Sequence, residues 1–415
     1  MTGKRALVIG GSLGGMIAAH LLHEVGWDAV VFERNATPLN SRGAGLGTHP
    51  ALVEILHRVG MAHEQAIGVD VRRVICLDRA GRRLIDRPTA RTMTSWGHLY
   101  TSLRARLPPA SYRLGKTLQR VEQDRDGVTA VFADGERVRG DLLIAADGLR
   151  STVREQLLPG HEPSYAGYVA WRIMLDEREC PRAIQEDIFD SYCFCLPDGE
   201  QLLGYPVPGR HNETQIGQRA YNIVWYRPVE PDEALVDLCT DADGHCHPAG
   251  IPPPLIRPEV VSAIKAAARE RVAPQIAEIV GRSQPFFQPI YDFSPPRMAF
   301  RRVVLLGDAA FVVRPHLGAG VTKAALDAAA LADSVRFCGD DIEAACERYQ
   351  HLQLPLGRGM ATLAKDEGAY LSGQSEPQHR RTAGRRDVDS LITSHDVLRD
   401  SVRKLIAERD LRAAL

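Results

Sequence analysis

Apolar positions along the chain fall into short unbroken runs, glycine-rich turns and stretches with helical spacing. Residues 6–9 (Ala-Leu-Val-Ile) form a continuous apolar run, the pattern of a strand buried on both faces. Residues 10–15 are rich in glycine, residues 16–25 carry apolar side chains at helical spacing, and residues 29–32 (Ala-Val-Val-Phe) repeat the buried-strand pattern. Strand, turn, helix and strand within about thirty residues make a mononucleotide-binding unit of the Rossmann type. Residues 128–132 and the region around Arg137 alternate like a hairpin with Asp134-Gly135 at its turn, and residues 141–145 form a further buried strand that ends at Ala146-Asp147-Gly148.

Between about residue 160 and residue 285 the texture changes. Short segments rich in Tyr and Trp (165–172, 192–196, 221–226) alternate with proline-rich joints such as Pro252-Pro253-Pro254, as in a separate sheet-rich domain. Residues 302–306 then return to the buried-strand pattern, and residues 319–336 form an alanine-rich helix. The expected fold is therefore α/β. A discontinuous Rossmann-type nucleotide domain (1–72, 100–160 and 286–350) holds an inserted sheet-rich substrate domain (73–99 and 161–285), and a C-terminal helical segment follows (351–415). Residues 373–386 are polar and basic and read as a mobile loop, while residues 395–415 read as an amphipathic helix. The basic run is short and lacks interleaved aromatics, so it does not read as a nucleic-acid arm.

Charge narrows the set of partners. With 51 basic and 52 acidic side chains the formal net charge is -1, which creates no global field for nucleic acid or an anionic membrane. Small molecules, or a second copy of the chain in a homodimer, are left. The eight cysteines lack framework spacing, which fits reduced thiols in a cytoplasmic enzyme. Cys239, His245, Cys246 and His247 lack the paired spacing of a zinc site and read as a solvated loop, so no metal is expected. The apolar stretch 6–31 is interrupted by glycines, His20, His23 and Glu24, which suit neither a signal peptide nor a bilayer span.

The chemistry begins at Gly10-Gly11-Ser12-Leu13-Gly14-Gly15, which approximates G-x-G-x-x-G with Ser12 in the middle position. That motif needs a tight turn at Gly10, close approach of the backbone at Ser12 and Leu13 to a pyrophosphate, and a small residue at Gly15 where helix meets strand. Glu33, followed by Arg34, ends the second strand where a ribose hydroxyl contact is required. The expected ligand is a dinucleotide.

Two further segments identify which one. Asp147-Gly148-Leu149-Arg150-Ser151-Thr152-Val153-Arg154 and Gly307-Asp308-Ala309-Ala310, each after a buried strand, resemble two fingerprints of the single-component FAD-dependent aromatic hydroxylases. A closer resemblance, to members of that family acting on hydroxylated pyridines, rests on three stretches. They are Tyr165-Ala-Gly-Tyr-Val-Ala-Trp-Arg172, Tyr205-Pro-Val-Pro-Gly-Arg210, and Arg314-Pro315-His316 with Gly318, Gly320 and Lys323. The resemblance implies FAD, with Asp147 near the pyrophosphate, Asp308 on the ribitol and Gly318 and Gly320 facing the isoalloxazine. The chain departs from the family's usual pattern at Phe311, Thr322 and Tyr100, the last standing where an arginine often meets FAD, so Arg104 is the candidate to replace it.

No second G-x-G-x-x-G unit is present for NADH or NADPH. The resemblance thus implies a reductant that binds transiently, followed by O2 activation as a flavin C4a-hydroperoxide and hydroxylation of a small electron-rich ring. A hydroxylated pyridine leads, with a substituted phenol or benzoate as the alternative. A related-fold flavin oxidoreductase or a flavin-binding sensor remains open, although the W-x-W-x-I-P motif of flavin halogenases is missing. His49, His316 and Tyr205 are the candidate catalytic residues, and Phe311, Pro315 and Trp225 the candidate pocket walls.

Overall fold

The computed structural model describes residues 3–39, 44–61, 67–247, 250–369, 371 and 388–414, with the backbone alone for 388–398. The polar loop expected at 373–386 lies outside the described residues. A six-stranded sheet runs Ala299–Phe300, Val303–Leu305, Leu142–Ala145, Arg5–Ile9, Asp28–Phe32 and Tyr112–Arg113 in spatial order. It is parallel except at its first pair. Its central strands are buried on both faces as their unbroken apolar runs require. A three-stranded antiparallel sheet, Leu118–Gln123, Val128–Phe132 and Arg137–Gly140, packs beside it through Phe32 and Phe132.

The second layer is an eight-stranded sheet whose two faces do different work. Along Ala220–Pro228 the side chains of Tyr221, Ile223 and Trp225 join a core with the helices Pro258–Arg271 and Pro274–Arg282. Val224 and Tyr226 point the other way, with Leu203, Tyr205 and Tyr192. Successive residues of a strand must face opposite sides, so one strand builds both a packed core and an open wall.

Sheet membership departs from the expected limits at three places. Phe286–Asp292 pairs with Ser164–Asp176, Phe286 opposite Arg172 and Phe287 opposite Trp171, so it is the edge strand of the second sheet rather than a return to the first. The proline at 289 is tolerated because an edge strand leaves one side unbonded. Val69–Leu77 and Gly45–Gly47 also belong to the second sheet. An apolar run reports burial but not which sheet it joins.

The alanine-rich helix Gly320–Cys338 is sunk between Leu13–Glu24, Pro50–Arg58 and Ile342–Glu367. Its small side chains permit this closeness. The terminal helix Val388–Ala414 lies along Ile342–Glu367, with Val402 and Ile406 buried. Among the described residues no helix is long and apolar enough to cross a membrane.

Candidate active site

A cavity of about 380 Å³ runs between the two sheets, from the glycine turn at Ser12 to a chamber walled by tyrosines. Its size is within the range of cofactor and small-molecule sites. At the first end Gly10 has φ +107°, and a side chain there would overlap the carbonyl of Ala146, so the turn accepts only glycine. Ser12 stands at the N-terminus of Leu13–Glu24 and makes no side-chain capping bond. The helix therefore presents its unpaired N–H groups and positive end to the cavity.

Residues distant in sequence hold this turn. Glu33 accepts from the Gly11 N–H at 2.9 Å and from the Asn35 backbone at 2.9 Å. Its carboxylate is thus committed to the turn itself. Tyr112 donates to the Gly11 carbonyl at 2.8 Å and meets the Tyr100 hydroxyl at 3.2 Å, while Tyr100 accepts from the Leu39 N–H. The Arg104 guanidinium lies 4.3 Å from the Tyr112 ring centroid. Tyr100 and Arg104 thus reach the nucleotide turn through Tyr112 rather than by lining the cavity.

The middle of the cleft is built by the turn Gly307–Ala309 and the loop before Gly320–Cys338. Asp308 is crowded by protein yet open to the cavity, and burial pushes its carboxyl up while Lys323 opposes that shift. Beneath it sits a buried ion pair. Lys323 Nζ donates to Asp327 Oδ2 at 2.7 Å and to the Gly307 carbonyl at 3.1 Å, and Asp327 accepts from the Gly307 N–H at 3.0 Å. Both groups are essentially inaccessible, at 2% and 1% side-chain exposure, so both backbone atoms of Gly307 are clamped. Pro315–Leu317 then forms one turn, Gly318 adopts a left-handed φ of 59°, and the helix N-terminus at Gly320 opens on the cavity.

The chamber beyond this loop is aromatic and cationic. His316 is buried, with Nε2 2.7 Å from the Tyr168 hydroxyl and its ring 4.6 Å from that of Tyr226. Tyr168 lies under Arg314, which holds Asp292 by two hydrogen bonds of 2.8 and 2.6 Å. Burial pushes the Tyr168, Tyr205 and Tyr226 phenols upward, so all three stay protonated at neutral pH. Tyr205 stacks on Tyr192, and Arg91 covers the Tyr192 ring at 5.0 Å. His49 stands at the N-cap position of Pro50–Arg58 without a side-chain capping bond, and it lines the cleft. Burial first, and then Arg399 and Arg403, lower its pKa, which keeps its imidazole neutral.

Of the residues singled out in the sequence, Ser12, Leu13, His49, Tyr205, Asp308, Pro315, His316, Gly318 and Gly320 line this one cavity. Gly10 and Gly15 shape its turn, Arg34 is exposed, and Asp147 lies in the turn beside the cleft-lining Ala146 and Gly148. Two expected pocket walls are corrected. Trp225 faces the opposite side of its sheet, where its Nε1 donates to Glu200 at 2.9 Å, and its neighbours Val224 and Tyr226 line the chamber instead. Phe311 is fully buried against Gly357 of the helix Ile342–Glu367, where a glycine alone leaves room for the ring. Sequence reading missed Tyr226, Arg91 and Arg172, and gave Lys323 no partner. Strand alternation signalled Tyr226 and Arg172, and the i, i+4 spacing signalled Asp327.

The cleft fits FAD on its own geometry. It passes two helix N-termini, where a pyrophosphate and the electron-rich edge of a reduced flavin are stabilised, and it exposes the Asp308 carboxylate where a polyol donates. A family model described as FAD binding domain-like matches residues 165–292. The 2,6-dihydroxypyridine 3-monooxygenase of Paenarthrobacter nicotinovorans is 32% identical over 379 residues, 91% of this chain and 94% of that protein. The 6-hydroxynicotinate 3-monooxygenase of Bordetella bronchiseptica is 27% identical, covering 80% of this chain and 82% of that one. The structure of 2,6-dihydroxypyridine-3-hydroxylase from Arthrobacter nicotinovorans superposes with a TM-score of 0.83 at 31% identity, over 91% of this chain and 95% of that chain. Shared identity over that extent, together with a cleft shaped for the dinucleotide, shows that the chain belongs to the single-component FAD-dependent aromatic hydroxylases, monooxygenases reduced by NAD(P)H.

Proposed function

We propose that the ring hydroxylated is a small hydroxylated pyridine, bound in the tyrosine-lined chamber. The observation that carries this reading is the chamber itself, where Tyr192, Tyr205, Tyr226 and His316 line the end of the cleft beyond the Gly318 loop. Flat aromatic walls with protonated phenols suit an electron-rich planar ring with hydrogen-bonding substituents. Two relatives named for hydroxypyridine-type rings support the choice. Bound FAD supplies reduction by NADH or NADPH and activation of O2. The chain's own residues orient the ring, exclude water and manage its proton. His49, held neutral, accepts the proton of a ring hydroxyl. His316, fixed by Tyr168, and Tyr205 orient the ring.

The test is oxidation of NADH or NADPH in air by the purified yellow protein, with and without 2,6-dihydroxypyridine, other hydroxypyridines and hydroxybenzoates. Stimulation by a hydroxypyridine, with a product one oxygen atom heavier, is the expected result. Stimulation by hydroxybenzoates alone would overturn the pyridine reading.

A further inference from the structure

Among the described residues, one guanidinium of the chamber has no counter-charge. Arg172 lies in Ser164–Asp176, opposite Val224 on one neighbouring strand and Phe286 on the other, and it lines the cavity. Its Nε is buried and has no hydrogen-bond acceptor. Among the described residues no carboxylate pairs with it, and the groups it faces are the phenols of Tyr205 and Tyr226. Four other arginines of the fold do have a carboxylate or carbonyl partner. Arg219 holds Glu177, Arg314 holds Asp292, Arg227 holds Glu200, and Arg154 reaches the carbonyls of Asp308, Ala309 and Leu149. Asp308, the one carboxylate among the described residues that line the cavity, interacts with Lys323, Asp327 and Arg154 instead.

Arg172 is partly buried, with its Nε hidden and unpartnered, so part of its donor capacity is unfilled, and a ligand that brings an anion fills it. We infer that Arg172 binds the substrate through a negatively charged oxygen on its ring, either a carboxylate or an ionised ring hydroxyl. A planar fork of N–H donors matches both, bidentately for the carboxylate. Arg91, on the neighbouring wall over Tyr192, adds positive potential at the same end. This assignment rests on reading the chamber as the substrate site, and it makes Arg172 a specificity residue for charge.

Binding is read without turnover, by the change in flavin absorbance as ligand is added to FAD-loaded protein. The ligands are 6-hydroxynicotinate, its amide, and 2,6-dihydroxypyridine titrated through its ring ionisation. R172M is expected to weaken anionic ligands by about tenfold or more while the neutral amide holds within about twofold, and R172K to fall between. If the carboxylate is the anion, wild-type protein prefers the acid to the amide. If the ring hydroxyl is, acid and amide bind alike and 2,6-dihydroxypyridine tightens on ionisation in wild type but not in R172M. No loss in R172M for either the 6-hydroxynicotinate carboxylate or ionised 2,6-dihydroxypyridine, or a loss just as large for both neutral counterparts, would overturn the inference. Should no pyridine bind, 4-hydroxybenzoate and 4-hydroxybenzamide repeat the test, separating a wrong ring from a wrong charge, and failure of every anionic ring to bind also overturns it.

Discussion

Replacing Lys323 by methionine removes one charge from the buried pair beneath the Asp308 turn and leaves the Asp327 carboxylate hydrogen-bonded to the Gly307 N–H alone among the described residues. Breaking a buried pair from one side costs about 3–5 kcal/mol, because the remaining charge is desolvated without compensation. For 415 residues, an unfolding entropy of about 2.1 cal/mol/K per residue totals ~0.9 kcal/mol/K. If the chain unfolds as one unit, that loss lowers Tm by about 3–6 °C. The turn also loses the charged bond to the Gly307 carbonyl, worth about 1.5–3 kcal/mol, and Asp308 follows Gly307 directly. FAD affinity should therefore fall by about 10- to 150-fold.

A second variant separates the two effects. K323M/D327L replaces the pair by apolar groups, which is often neutral for stability, so its Tm should recover while FAD binding stays weak. The pH dependence has a definite sign. Burial raises the Asp327 carboxyl in the native state, and without Lys323 to oppose it the folded pKa rises further above the unfolded one. A group raised in this way favours the folded state at low pH, so the K323M deficit should shrink as pH falls. Differential scanning calorimetry and flavin-release titration read both quantities. A K323M protein that melts within about 1 °C of wild type and keeps its FAD affinity refutes the reasoning.

Two further predictions address the chamber. Trp225→Phe should cost about 1–3 kcal/mol in stability by leaving Glu200 Oε2 without the indole donor, with KM for the ring unchanged, whereas Tyr226→Phe should change KM with little loss of stability; the opposite pattern in melting and steady-state assays would reverse the two sheet faces. His49 is held neutral by burial and by Arg399 and Arg403, so activity should fall only as pH drops below about 6.5, the ordinary imidazole value; His49→Asn should lower kcat by about 10²–10⁴ and abolish that acid limb, and a limb that survives the substitution assigns the proton to another group.

What the sequence determined by itself was local. Gly10 to Gly15, the strands on either side, Asp308 and the run from Pro315 to Gly320 are consecutive residues whose turn chemistry and burial pattern are dictated within a few positions. The glycine turn, Asp308 and the run from Pro315 to Gly320 proved to lie on the cavity or to shape its turn. The tertiary structure decided whatever depended on which elements pack together. Trp225 and Tyr226 are adjacent and both aromatic, and only the helices Pro258–Arg271 and Pro274–Arg282, more than thirty residues later, determine that Trp225 enters the core and Tyr226 the chamber. Phe311 became a core residue because Gly357, on another helix, makes room for it. Glu33 holds the Gly11 N–H, and the Arg172 Nε has no acceptor among the described residues, because of what folding brings near them. Strand alternation assigns side chains to two faces, and long-range packing alone selects the face that stays open.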